Sequence, residues 1–256
     1  MISPQTPSQR ILVALDTPDV QKARDLSLSL AGHVGGVKLG LEFFNANGPA
    51  GVRKVVRGDL DETPRGEPVA QQPFFLDLKY HDIPNTVAGA VRSAMPLGPM
   101  IMNVHASGGS AMMKAALDAA HFAAEPLGVV RPLMIAVTVL TSMDDADLDA
   151  VGQRGPSNDQ VVRLAELTQK AGLDGVVCSA REITRIREAC GPDFRLIVPG
   201  IRPAGSAIGD QKRVMTPLDA VKAGADWLVI GRPITGADDP VAAAKAIAQE
   251  LDTVVA

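Results

Sequence analysis

The stretch Phe74-Phe75-Leu76-Asp77-Leu78 (FFLDL, 74–78), running straight into Lys79-Tyr80-His81-Asp82, decides how this chain folds. Its first five residues are apolar except for Asp77. A strand with one wet face alternates polar and apolar residues, whereas a parallel strand buried on both faces reads as a nearly continuous apolar run. The charges gather where the run ends. Outward from this stretch the same design recurs at Ile11–Leu15, Gly36–Leu39, Met100–Val104, Leu133–Val139, Gly175–Cys178, Arg195–Val198 and Trp227–Ile230, which makes eight strands.

Helix-period segments separate them: Val20–Ala31, Thr86–Ala94, Ser110–Ala124, Gln160–Ala171, Ala180–Ala189 and Leu218–Ala223. Thr216-Pro217-Leu218-Asp219 reads as an N-cap, a proline at the first helical position and an acid at N3, and Asp239-Pro240 opens the last helix in the same way. Gly172 and Gly224 fit helix stops. Strands alternating with helices imply an α/β protein, a single (β/α)8 TIM barrel over residues 1–256. A doubly wound open sheet is the alternative. It is disfavoured because no GxGxxG follows the first strand and no Walker A pattern occurs. Residues 58–73 (GDLDETPRGEPVAQQP) are rich in proline and charge and read as a surface insertion on the barrel's N-terminal face.

Composition narrows the function. A chain of 256 residues buries a large core without staples. Lys plus Arg number 25 against 29 Asp plus Glu, a net charge of −4, which speaks against binding nucleic acid by phosphate neutralisation. Six Phe, one Trp and one Tyr are too few for base-stacking platforms. Cys178 and Cys190 form no CxxC pair, which fits a reducing, cytoplasmic compartment. The first ten residues, MISPQTPSQR, hold no apolar core of a secretory signal, and no apolar run approaches the length a bilayer requires.

In a barrel, catalytic groups sit at the C-terminal ends of the strands. Here those ends are polar: Asp16 after strand one, Lys38 on strand two, Asp77, Lys79 and Asp82 on or just past strand three, Asn103 and His105 on strand four, Thr141 and Ser142 past strand five, Arg202 past strand seven and Arg232 past strand eight. Burying unpaired charge is costly, so these groups must pair with each other or with a ligand. Asp77 and Lys79 are two apart and so face one side of a regular strand, and Lys38 from the neighbouring strand lets the signs alternate. A salt-bridge network that merely closes the rim is the bland alternative, and Asp16 alone would also serve as a helix cap. Loops after the last two strands often hold phosphate. Pro199-Gly200-Ile201-Arg202-Pro203 and Gly231-Arg232-Pro233-Ile234-Thr235 offer close backbone approach and a guanidinium fork. Residues 204–213, which include Gln211, are polar and long enough to form a lid. No histidine pair has HxH or HExxH spacing, so no metal ligand set emerges.

The run from Asp77 to Thr86, DLKYHDIPNT, resembles the signature of the orotidine 5′-phosphate decarboxylase family in its short, bacterial form. The likeness extends to Leu12–Asp16, Val37–Gly40, Asn103–Gly109, Val139–Met143, Pro199–Pro203 and Gly231–Thr235. It implies decarboxylation of orotidine 5′-phosphate to UMP and CO2, the last step of de novo UMP synthesis. It also implies no metal, no organic cofactor, and a homodimer in which Asp82 and Thr86 reach the partner's site. In such an enzyme Lys79 stabilises and protonates a C6 carbanion, and Asp77 and Asp82 hold Lys79 charged. Lys38 bridges the acids and a ribose hydroxyl, and Asp16 accepts from ribose. Thr141 lines the pyrimidine pocket, where Ser142 meets the pyrimidine amide, and Thr86 binds substrate across the interface. Arg202, Gln211, Gly231 and Arg232 grip the phosphate. The segment 58–73 looks longer than is usual in the family.

Three rival readings follow from the same residues. The first is a Mg²⁺-dependent sugar-phosphate decarboxylase or synthase on the same scaffold. The second is a barrel that binds a phosphorylated ligand without turnover. The third, a Schiff-base aldolase built on Lys79, is opposed by the acids, which would keep the amine protonated and poorly nucleophilic.

Overall fold

A computed structural model describes residues 2–57, 71–203 and 215–255. Eight strands close into a barrel in chain order: β1 (Ile11–Ala14), β2 (Gly36–Gly40), β3 (Phe74–Tyr80), β4 (Ile101–His105), β5 (Leu133–Val137), β6 (Gly175–Val177), β7 (Arg195–Pro199) and β8 (Trp227–Ile230). Every neighbour pairs in parallel, and β8 closes onto β1 with Leu12 opposite Val229. Outside them run α1 (Val20–Leu30), α2 (Leu41–Arg57), α3 (Pro84–Ala94), α4 (Gly109–Leu127), α5 (Asp145–Ala150), α6 (Ser157–Lys170), α7 (Ile183–Cys190), α8 (Pro217–Ala223), α9 (Arg232–Thr235) and α10 (Pro240–Val255). Among the described residues, no helix is long and apolar enough to cross a membrane.

The two faces of each strand feed two separate cores. Ile11, Val13, Val37, Leu39, Phe74, Leu76, Leu228 and Ile230 pack outward with helix residues such as Phe43, Val87 and Ile186. The alternate positions Leu12, Ala14, Phe75, Ile101, Ile135, Ile197, Trp227 and Val229 fill the barrel. This period of two, applied along a buried strand, sends Lys38 inward between Val37 and Leu39 and sends Asp77 inward two residues after Phe75. Asn103 follows Ile101 inward for the same reason.

Caps and stops lie where the sequence puts them. Thr216 accepts from the Asp219 amide at 3.1 Å, and Asp239 from that of Ala242 at 2.9 Å. Gly172 (φ +89°) and Gly224 (φ +113°) end α6 and α8 in the left-handed region that favours glycine. The helix after β2, whose bounds the periodicity leaves undrawn, is α2; Gly48-Pro49 interrupts it with φ +60° at Gly48, which blurs its pattern. Two short helices, α5 and α9, are too brief to carry a periodic signal. Of the segment 58–73, residues 58–70 lie outside the described residues. Gln71–Pro73 belong to the lower rim: the Gln71 side-chain amide donates to Leu97 O and Gly98 O, the Gln72 amide to Val56 O, and Pro73 O accepts from Val37.

Candidate active site

At the C-terminal end of the barrel, five polar side chains form a single continuous chain of contacts: Asp16 just past β1, Lys38 from β2, Asp77 and Lys79 from β3, and Asn103 from β4. Asp16 Oδ1 accepts from Lys38 Nζ at 3.0 Å. Lys38 Nζ stands 3.4 Å from Asp77 Oδ2. Asp77 Oδ1 accepts from Lys79 Nζ at 2.7 Å and from Asn103 Nδ2 at 2.7 Å. Signs therefore alternate: acid, base, acid, base.

The electrostatics keep the buried members charged. Burial by itself drives the Asp77 carboxyl towards its neutral form, but the Lys38 and Lys79 ammoniums and the hydrogen bonds from Lys79 and Asn103 outweigh it, so its pKa falls below the ordinary carboxylate value. Burial likewise works against the Lys38 charge, and Asp77 and Asp16 overcome it and raise its pKa. Burial, with the neighbouring His81 ring and the Lys79 ammonium, lowers the pKa of His105 and favours its neutral ring. Cys178 lines the pocket, yet burial pushes its thiol pKa far up, so it is no nucleophile at neutral pH.

Lys79 arrives by a route that strand alternation does not describe. The pairing of β3 with β4 runs Leu76 to Met102 and then jumps to Tyr80 opposite Val104, so β3 bulges between them. Lys79 sits at φ +49°, the one non-glycine residue with positive φ among the described residues. Such a conformation costs about 1–3 kcal/mol and persists where the surroundings enforce it. The bulge turns the Lys79 ammonium back onto Asp77, so the two meet as the spacing predicts, through an irregular backbone rather than a regular one. Asn103, read from sequence only as a polar strand end, is the residue that completes this turn: its Oδ1 accepts from the Lys79 amide at 2.8 Å. Period-two alternation from Ile101 was the signal that would have placed it inside.

Two adjoining cavities open beside this chain. One, of about 180 Å³, is lined by Lys38, Asp77, Lys79, Thr141, Val139, Leu140 and Cys178 among others. The second, of about 340 Å³, is lined by Asp16, Lys38, Arg202, Gly200, Gly231 and Arg232 among others. Lys38, Pro199 and Val229 line both. The larger cavity is the more polar of the two and carries both arginines; the smaller is mainly apolar, with the Asp77–Lys79 pair at one side. Gly200 needs its φ of +78° to make the turn after β7. A Cβ at Gly231 would meet nothing nearer than Ala14 Cβ at 3.6 Å, so no crowding within the chain demands glycine there.

The remaining candidate residues lie apart. Ser142 is exposed and lines neither cavity. Asp82 and Thr86 sit on an exposed run from His81 to Thr86, and the Asp82 carboxylate accepts from the Ile83 amide at 2.6 Å. Gln211 and the expected lid, 204–213, lie outside the described residues. Among the described residues, no group of three or more His, Cys, Asp or Glu stands close enough together to hold a metal ion.

Comparison with known proteins matches residues 9–247 to the model of the orotidine 5′-phosphate decarboxylase / HUMPS family. The chain belongs to that family. The orotidine 5′-phosphate decarboxylase of Rhodospirillum rubrum is 57% identical over 241 residues, 94% of this chain and 93% of the relative. That of Moorella thermoacetica is 53% identical over 246 residues, 96% of this chain and 93% of the relative. The crystal structure of the Lactobacillus acidophilus orotidine 5′-phosphate decarboxylase superposes with a TM-score of 0.78 at 38% identity, covering 94% of this chain and 98% of the other. Within this orotidine 5′-phosphate decarboxylase / HUMPS member, the alternating ion chain and the arginine-lined cavity share one cleft, with Lys38 common to both.

Proposed function

We propose that this protein decarboxylates orotidine 5′-phosphate to UMP and CO2, the closing step of de novo UMP synthesis, in the cytoplasm. The observation that carries the reading is the Asp16–Lys38–Asp77–Lys79 chain set between an apolar pocket and a cavity lined by two arginines. Relatives at more than half identity over nearly the whole chain bear the matching name.

The pyrimidine enters the apolar cavity, which Thr141 lines. The ribose lies against Asp16 and Lys38, and the phosphate meets Arg202, Gly231 and Arg232; the family resemblance adds Gln211, which lies outside the described residues. The bond between C6 and the carboxylate breaks, CO2 departs, and the electron pair stays on C6. Lys79 places an ammonium beside that carbon, where it offsets the developing charge and then donates its proton to C6. The amine regains a proton from solvent, so one proton is consumed per CO2 released. Asp77 fixes the ammonium at 2.7 Å, and its lowered pKa keeps it able to do so. The exposed run from His81 to Thr86 supports a homodimer in which Asp82 and Thr86 contribute to the partner's site; Ile83, within it, is 67% exposed.

The test is decarboxylation of orotidine 5′-phosphate by the purified protein, followed by the loss of substrate absorbance, with and without EDTA. Turnover unaffected by the chelator is expected. Absence of turnover, with Mg²⁺-dependent activity on a 3-keto-gulonate or hexulose phosphate instead, would overturn the reading.

A further inference from the structure

We infer that Asn103 is a positioning residue for the reaction: it holds Lys79 in its left-handed turn and Asp77 in its ionised form, and so sets where the ammonium stands. The inference rests on the decarboxylase reading above. Asn103 is completely buried, so it does not meet substrate. Both ends of its amide are spent on the site. Oδ1 accepts from the Lys79 amide and Nδ2 donates to Asp77 Oδ1, the oxygen that also holds Lys79 Nζ. One side chain thus clamps the backbone of the residue whose ammonium reacts and the carboxylate that aims it.

The chemistry leaves few substitutes. The Lys79 N–H demands an acceptor and the Asp77 carboxylate demands a donor, which fixes the orientation of the amide. An apolar residue would take the acceptor from a partly buried backbone N–H at the one non-glycine position of positive φ among the described residues. An ionised carboxylate would accept from the N–H but would turn a like charge on Asp77 in place of a donor. Around the position stand Asp77 and Lys79 from β3, Lys38 behind Asp77, and His105 two residues further along β4 with His81 against it. The strand on the other side, β5, carries no titratable group over Leu133–Val137.

Two variants test this. Asn103→Ala removes both bonds and is expected to lower kcat by about 10²-fold, the usual cost of a reacting group displaced by an ångström. KM for orotidine 5′-phosphate should stay within about threefold, because the phosphate cavity does not involve the residue. Asn103→Asp keeps the shape, so it stays folded if the alanine variant does not. Its protonated acid reproduces the native donor and acceptor, and its ionised form repels Asp77. Between pH 9 and pH 5 the ratio of its kcat to that of the wild type should therefore rise as pH falls. A kcat within about threefold of wild type at every pH in both variants would overturn the inference while leaving the decarboxylase reading intact. An equal loss in both, with KM raised in step and no pH recovery, would also overturn it, because that is what loss of packing alone would give. A wild-type protein without turnover would remove the reading and the inference together.

Discussion

Both ends of the barrel are charged, and the difference between them separates scaffold from site. At the N-terminal end Asp174, just ahead of β6, accepts two bonds from the Arg131 guanidinium at 2.7 and 2.8 Å and one from the Met134 amide at 2.7 Å. Asp226, ahead of β8, takes Arg187 at 3.0 Å, Arg195 at 3.2 Å and the Leu196 amide at 2.8 Å. Arg187 spends its other donors on carbonyls of the turns around it, including Phe194 O and Gly224 O. Each of these carboxylates is saturated by protein groups and pins the start of a strand. At the C-terminal end the charges form an open chain along a cavity, and the Lys79 ammonium has Asp77 as its one carboxylate partner among the described residues. Charge at a strand end is therefore common to both roles. What marks the site is hydrogen-bonding capacity left facing a cavity.

The contrast predicts opposite consequences for equivalent changes. Asp77→Asn should lower kcat by about 10³-fold, the range seen when a preorganised electrostatic group is lost, while leaving the protein folded. An activity within tenfold of wild type would dissolve the distinction. Arg232→Ala, which removes a charged fork from the cavity proposed to hold the phosphate, should lower kcat/KM by about 10²-fold, equivalent to about 3 kcal/mol. Unchanged kinetics would defeat the assignment of the phosphate grip. Asp226→Ala at the other end should leave kcat within about threefold but cost about 3–5 kcal/mol of stability, since two arginines lose their partner. For a domain of this size the melting point should then drop by about 10 °C. A stable Asp226→Ala protein with impaired turnover would invert the comparison.

Proton linkage gives the smallest effect. The folded pKa of His105 is lowered by burial and by His81 and Lys79, so the unfolded chain binds its proton more readily. Stability from the neutral ring is then present above the unfolded value near 6.5 and is lost as pH falls below it towards the folded value. His105→Gln should show a shallower decline in urea midpoint between pH 6.5 and 5 than wild type. Identical slopes would remove the histidine from the acid limb. Asp77 and Lys38 act outside this window. The lowered pKa of Asp77 makes its contribution fade only as pH falls below 3.8, and the raised pKa of Lys38 makes its contribution fade only as pH climbs past 10.5.

The barrel was legible because its signal is repeated. Eight apolar runs lacking polar alternation, each followed by a break, leave few other arrangements, and all eight observed strands overlap the predicted ones to within two residues at each end. The meeting of Lys38 and Asp77 was legible too, because both point inward from neighbouring strands. The register sets Lys38 opposite Ala14 and Phe75, two residues below the level of Asp77, and its long side chain reaches up to Asp77 and to Asp16, the latter a contact the sequence did not reveal. Lys79 was legible in place but not in manner. A bulge and a left-handed lysine leave no trace in a pattern of period two, and they depend on Asn103, which is 24 residues away in sequence. The roles of Asp82 and Thr86 are of another kind: both sit on an exposed run, where among the described residues the Asp82 carboxylate bonds the neighbouring Ile83 amide.

The central claim is that the Lys79 ammonium performs the chemistry and that the rest of the cleft positions the substrate for it. The direct measurement is single-turnover decarboxylation of orotidine 5′-phosphate by Lys79→Ala beside the wild type, with UMP affinity determined for both. The predicted result is a rate at least about 10⁴-fold lower, combining the loss of proton transfer with the loss of charge stabilisation, and UMP still bound by the arginine cavity. A Lys79→Ala protein that turns over within tenfold of the wild type would contradict the account.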